Sequence, residues 1–267
     1  LGDVYKRQVI NLNVLAEEDF APNGKSAILV DNLSGKVLYE KNADEKLAPA
    51  SMTKLASMLM VMEAIDNGNL KFEDKVTISE EAANMGGSQV FLQAGEVYTV
   101  YDLLKSVAIA SGNDAVVALA EKIGGSQSGF VDMLNKRLKE IGATNTNFVN
   151  AHGLDAEGHY STASDMSIIA RELLKHPKIL EFTSIYEEYL EKNDGSRTWL
   201  VNTNKLVRFY DGVDGLKTGF TKTAGYCLTA TASKNNFRLI SVVMGEDTSE
   251  NRSSDTVKML NLSLIHI

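Results

Sequence analysis

The 267-residue chain holds a single cysteine, Cys227, and only four histidines. One thiol cannot close an intramolecular disulfide, and the scattered histidines form no zinc-type ligand cluster, so no metal or cofactor is implied. Scarcity of cysteine fits a reducing cytosol and a bacterial envelope equally well. Basic residues are in deficit too: 27 Lys and Arg stand against 35 Asp and Glu, a formal net charge of −8. Nucleic-acid affinity rests on clustered Lys and Arg, and charge therefore argues against such a partner. The longest strongly apolar run, Leu55 to Ile65, falls short of the roughly 20 residues that a spanning helix needs. There is no internal repeat, low-complexity tract or long linker. What remains, 44% apolar and 23% charged residues, is the composition of an ordinary globular protein, long enough for one large domain or a body with a lobe.

Both ends read as foreign to the fold. "LGDVYKRQ" at 1–8 and "SLIHI" at 263–267 resemble translated adapter sequence and are set aside as scars, which implies a natural chain extending further at each end. Residues 9–23 are expected to be the tail of a signal peptide and a linker, with Val14 and Ala16 at the −3 and −1 positions of a cut. An ordinary N-terminal strand is the alternative there. On the first reading the protein is exported.

The interior, residues 24–262, is expected to be one domain. "SAILVDNLSGKVLYEKN" gives two strand-like runs joined at Asn32–Gly35, a β-hairpin pattern. A helix apolar nearly all round follows from Ser51 and ends at "DNGN", which places it in the centre of a domain. Helical spacing continues through the middle, where Thr99 with Asp102 and Thr162 with Asp165 form capping-box patterns. The period then switches: "TWLVNTN", "DGLKTGF", "GYCLTATAS" and "FRLISVVMG" read as strands, followed by a helix over about 250–262. Strands at both ends with helices between imply an α+β fold: an antiparallel sheet with flanking helices plus a helical lobe. The sheet body is expected from 24–50 and 186–262 and the helical region from 68–185.

Three short motifs can carry chemistry. Ser51 and Lys54 in "SMTK" sit at i and i+3, on one helical face. A neutral lysine can take the proton that makes a serine a nucleophile. Bringing a lysine from about 10.4 to about 7 costs roughly 4.6 kcal/mol. A second cation about 5 Å away supplies about 3 kcal/mol of that at an effective dielectric near 20, and burial the rest. Taken alone, a helix cap with a snorkelling lysine is the simpler account, because Ser-x-x-Lys is expected about once by chance in such a chain. "SGN" follows: Ser111 can relay a proton to a leaving amine and Asn113 can hold a substrate carbonyl, or the triplet is a plain inter-helix turn. The third motif, "KTG", brings Lys217 as the second cation, Thr218 as a hydroxyl, and Gly219 as a point of close backbone approach on an edge strand. A nucleotide loop is excluded, since Asp211 and Leu216 stand where its glycines are required.

Together, S-x-x-K, S-x-N and K-T-G mark penicillin-binding proteins and class A β-lactamases. With "FVNAHGLDAEGHYSTASDM" and "DGLKTGFTKTAGYCLTATA", the chain resembles the serine D-Ala-D-Ala carboxypeptidases, low-molecular-mass penicillin-binding proteins, over roughly residues 24–262. The resemblance implies a β-lactamase/transpeptidase-like fold, Ser51 as nucleophile, Lys54 as general base, and Ser111, Asn113 and Lys217 completing the proton network and cleft. It further implies an oxyanion hole from the N–H groups of Ser51 and Phe220, and a substrate carboxylate held by Thr218 and Arg252, with Arg197 as a competing candidate. The implied partners are the peptidoglycan stem peptide and β-lactams as covalent inhibitors. Such proteins usually carry a signal peptide, a C-terminal β-rich domain and a membrane anchor, and the last two are expected beyond the point at which this sequence stops. A β-lactamase of class A would add E-x-x-x-N after the second motif; the one glutamate there, Glu157, is followed four residues on by Ser161. A β-lactam sensor or silent peptidoglycan-binding scaffold remains the other alternative. His152 and His159 are expected to be structural loop residues, and Cys227 a packed, unreactive thiol.

Overall fold

The computed structural model describes residues 19–235 and 237–264. The segment read as adapter at 1–8, and residues 9–18 of the signal-peptide reading, lie outside the described residues. In chain order, β1 (Ser26–Asp31) and β2 (Val37–Lys41) precede a 3-10 turn, Ala50–Thr53, that runs into α1 (Lys54–Asp66). Next come β3 (Lys75–Thr77), α2 (Glu80–Ala83), β4 (Val97–Thr99), α3 (Val100–Ala110), α4 (Asn113–Gly124), α5 (Gln127–Glu140), α6 (Ala163–Leu173) and α7 (Leu180–Thr183). The last third holds β5 (Glu187–Glu191), β6 (Arg197–Val201), α8 (Leu206–Phe209), β7 (Val213–Thr221), β8 (Gly225–Lys234), β9 (Phe237–Glu246) and α9 (Ser249–Leu264).

Five strands form an antiparallel sheet in the order β2-β1-β9-β8-β7. The N-terminal hairpin joins the C-terminal strands through β1 and β9, with Ser26 opposite Met244 and Asp31 opposite Leu239. Alternation along β1 explains the layers. Ile28 and Val30 enter the core shared with α1 and α6, whereas Ala27 and Leu29 enter a second core closed by Met259 and Leu260 of α9. Because helices cover both faces, the central strands are buried over most of their length, and β7 is left as an edge. Every residue of α1 from Lys54 to Met62 is buried, as its nearly all-round apolar pattern requires. The helical lobe, α2 to α5, packs against α1, and two helix caps follow the sequence: Thr99 Oγ1 accepts from the Asp102 N–H at the start of α3 and Thr162 Oγ1 from the Asp165 N–H at the start of α6.

Four details depart from the sequence reading. β5 and β6 form their own two-stranded sheet packed on α3, so residues 187–201 do not extend the main sheet. A further two-stranded sheet, β3 with β4, lies within the region read as helical. Residues 19–23 are packed chain, not a free linker: Phe20 meets the Tyr39 ring edge-on, and Asn23 bonds to the buried Asp255. Finally, α1 begins at Lys54, leaving Ser51 inside the preceding 3-10 turn without a capping bond.

Candidate active site

The turn before α1 is held from two sides. Ala50 has a left-handed φ of 48°, unusual for a residue with a Cβ. Gly153 lies directly beneath it: a Cβ built there would stand 1.9 Å from the Ala50 carbonyl oxygen, so only glycine fits. On the other side runs edge strand β7. A Cβ built on Gly219 would come within 2.7 Å of the Pro49 carbonyl oxygen and 3.1 Å of the Ser51 nitrogen. Glycine at these two places lets the serine turn sit between a loop and a strand.

Lys54, fully buried, points its Nζ back along the turn, 2.9 Å from Ser51 Oγ, and donates to the His152 carbonyl at 2.7 Å. Burial drives its pKa well below the usual lysine value, and the Lys217 ammonium lowers it further, against an opposing pull from Asp114. The order of causes corrects the sequence argument, which assigned the larger part to the second cation: desolvation comes first. Lys217 is also buried, donates to the Thr218 carbonyl at 3.0 Å, and is pushed down to about 7 by burial and by Arg252. Arg252, at the start of α9, is buried with no hydrogen-bond partner on Nε. Three basic side chains are thus coupled in sequence, Arg252 to Lys217 and Lys217 to Lys54.

Ser111 closes α3 in a left-handed conformation, φ 63°, and its N–H bonds to the Val107 carbonyl. Asn113 opens α4, buried, with Nδ2 donating to the Gly86 carbonyl at 2.6 Å and Oδ1 unpartnered. Thr218 Oγ1 donates to Thr203 Oγ1 at 2.6 Å, which ties the end of the β5–β6 hairpin to β7. Phe220 is exposed on β7, its ring against that of Tyr226. Arg197, the competing carboxylate ligand, is exposed on β6 and paired with Glu191. Glu157 is exposed in its loop.

Sequence reasoning missed several contributors. The His152 carbonyl, Gly153 and Asp114 all bear on the serine–lysine pair, and the glycine in "AHGLD" was the one available signal. Both imidazoles bond within or beside their own loop: His152 Nδ1 accepts from the Leu154 N–H at 3.1 Å. His159 bonds to Thr53 Oγ1 at 2.9 Å and accepts from the Val149 N–H while stacking on Phe148. Cys227 is buried, and burial pushes its thiol up to about 11. Among the described residues no cluster of three His, Cys, Asp or Glu could hold a metal ion, and no helix is long and apolar enough to cross a membrane.

Residues 13–248 match the profile of the D-alanyl-D-alanine carboxypeptidase family. The chain belongs to that family. It is 55% identical over 245 residues to the D-alanyl-D-alanine carboxypeptidase DacF of Bacillus subtilis, an alignment covering 92% of this chain and 63% of that one. The chain therefore spans less than two thirds of the length of this curated relative. Among solved structures it is similar to the carboxypeptidase DacD from Francisella tularensis, with TM-score 0.87, 30% identity, and coverage of 98% of this chain and 76% of that one. It is also similar to penicillin-binding protein D2 from Listeria monocytogenes in the ampicillin-bound form, with TM-score 0.81, 32% identity, and coverage of 92% and 99%. The α+β fold with its antiparallel sheet and flanking helices is that of the D-alanyl-D-alanine carboxypeptidases and penicillin-binding proteins.

Proposed function

We propose that the chain is a serine-type D-Ala-D-Ala carboxypeptidase that removes the terminal D-Ala of peptidoglycan pentapeptide through an acyl-enzyme on Ser51, and that β-lactams acylate the same serine. The observation that carries the reading is the buried Lys54 Nζ, 2.9 Å from Ser51 Oγ and held toward its neutral form. A neutral amine keeps one hydrogen for the His152 carbonyl and offers its lone pair to the Ser51 proton. The serine oxygen then bonds to the penultimate D-Ala carbonyl carbon, and the charge on the carbonyl oxygen falls to the N–H groups of Ser51 and Phe220. As the C–N bond breaks, the proton passes from Lys54 through Ser111 to the leaving amine, and D-Ala departs. Water, deprotonated by the same lysine, hydrolyses the ester and restores Ser51. Asn113 holds the substrate backbone; Thr218 and Arg252 bind the free carboxylate, which a guanidinium grips in a bidentate way. Gly219 keeps β7 close enough for these contacts.

Export and membrane association of the full-length parent belong to the same proposal. They rest on the signal-peptide reading of residues 9–23 and on family resemblance, and fractionation of the full-length protein tests them.

The decisive experiment is a time course of intact mass with benzylpenicillin alongside D-Ala release from a D-Ala-D-Ala peptide. A persistent adduct with D-Ala release supports the carboxypeptidase; an adduct that vanishes within seconds indicates a β-lactamase; an adduct without D-Ala release indicates a sensor. Ser51→Ala must abolish both signals.

A further inference from the structure

Segment 86–92 lies against Asn113 and is fastened more firmly than an ordinary surface loop. Its inner end touches Asn113 twice: the Gly86 carbonyl accepts from Asn113 Nδ2 at 2.6 Å and the Ser88 carbonyl from the Asn113 N–H at 2.7 Å. Gly87 permits the approach, since a Cβ there would stand 2.8 Å from Asn113 Nδ2 and the glycine has a φ of 78°. Two charges of opposite sign hold the rest. The buried Asp114 carboxylate accepts from the Val90 N–H at 3.0 Å and the Leu92 N–H at 3.1 Å. From the β5–β6 turn, Lys192 Nζ donates to the Val90 carbonyl at 2.8 Å and the Phe91 carbonyl at 2.6 Å. Between these clamps Phe91 is held at a left-handed φ of 59° and the residue is 65% exposed. Desolvating a carboxylate and straining a bulky residue both oppose folding, and neither is offset by burying that ring. Strain kept at such a place is the kind that positions a site.

We propose that Asp114 and Lys192 are positioning residues for the substrate cleft: acting from opposite sides, they fix segment 86–92, which in turn fixes the side-chain amide of Asn113. Neither touches the reacting atoms. The inference rests on the proposed role of Asn113 as a substrate ligand, but not on turnover, because acylation by a β-lactam reports the same cleft.

The test uses Lys192→Met, a half-buried residue on a hairpin turn, beside Asp114→Asn, whose deeper burial carries a folding risk. The second-order rate of acylation by benzylpenicillin, followed by intact mass, is expected to fall about tenfold in Lys192→Met with Tm nearly unchanged, and to recover in Lys192→Arg, which keeps a donor for both carbonyls. The double variant Lys192→Met/Asn113→Ala should be no slower than Asn113→Ala alone, because the lysine acts through the asparagine. An unchanged rate in Lys192→Met, or losses that multiply in the double variant, would overturn the assignment. D-Ala release by the unaltered protein separately reports on the carboxypeptidase reading.

Discussion

Gly219→Ala adds one methyl group where β7 passes the serine turn, and its outcome can be worked out in advance. The glycine has an ordinary φ, so the substitution brings no backbone strain and acts by contact alone. The new Cβ would meet the Pro49 oxygen at 2.7 Å, Ala50 Cβ at 3.0 Å and the Ser51 nitrogen at 3.1 Å. All three belong to backbone or to the first side-chain atom, so none can rotate away. Carbon contacts settle near 3.5 Å, and the turn and strand must therefore separate by roughly 0.5 Å or more. Overpacking of this kind costs about 1–3 kcal/mol, which in a chain of this size lowers Tm by roughly 2–12 °C. The effect on chemistry is sharper. Displacing a reacting group by 1 Å costs about a hundredfold, so half that distance predicts about tenfold slower acylation of Ser51. Stopped-flow measurement of the acylation rate with a chromogenic cephalosporin, beside a thermal melt, reads both quantities. A lowered Tm with an unaltered rate would refute the claim that β7 at Gly219 sets the position of Ser51.

Three other outcomes follow from the charges. Lys217→Met removes the cation beside Lys54 and so raises the Lys54 pKa; the acid limb of the acylation profile should move to higher pH, read from rates across pH 5–9. Lys217 itself, near 7 because burial and Arg252 depress it, gains its proton more readily once a substrate carboxylate neutralises Arg252; the alkaline limb should therefore lie higher in kcat than in kcat/KM, and coincident limbs would count against the pairing. Glu246, buried with both oxygens unpartnered, has its carboxyl raised from 4.5 to about 7 by burial and then by Asp255, with Lys41 and Lys258 opposing and Asp247 adding to the rise. The folded state binds the extra proton between those values, so stability is full below about 4.5 and falls as pH rises through 7, by about 3 kcal/mol. Glu246→Gln should thus raise Tm at pH 8 far more than at pH 5.

How much was legible depends on whether a feature lives in side-chain type or in where the backbone is brought. The α+β layers, the helix caps at Thr99 and Thr162, and the pairing of the N-terminal hairpin with the last strands were readable, because period and cap chemistry are local. β5 was not, since Glu187, Glu188 and Glu191 mask its alternation, although "NDGS" marked the turn that closes it. In the site, the serine–lysine spacing was visible. The groups that make the lysine neutral were only half visible: Lys217 is a cation in a motif, whereas burial, the larger cause, is a property of the assembled core. Backbone partners leave no residue type to read, which is why the His152 carbonyl and the carbonyls of 86–91 went unseen. The cation series gives these pieces a common logic. Arg252 depresses Lys217, and Lys217 depresses Lys54, so the guanidinium proposed to bind a substrate carboxylate is coupled, through one buried lysine, to the amine proposed to activate Ser51. In the proposed mechanism, filling the Arg252 end strengthens the positive charge on Lys217 and holds Lys54 more firmly neutral, so recognition of the free carboxyl terminus prepares the nucleophile.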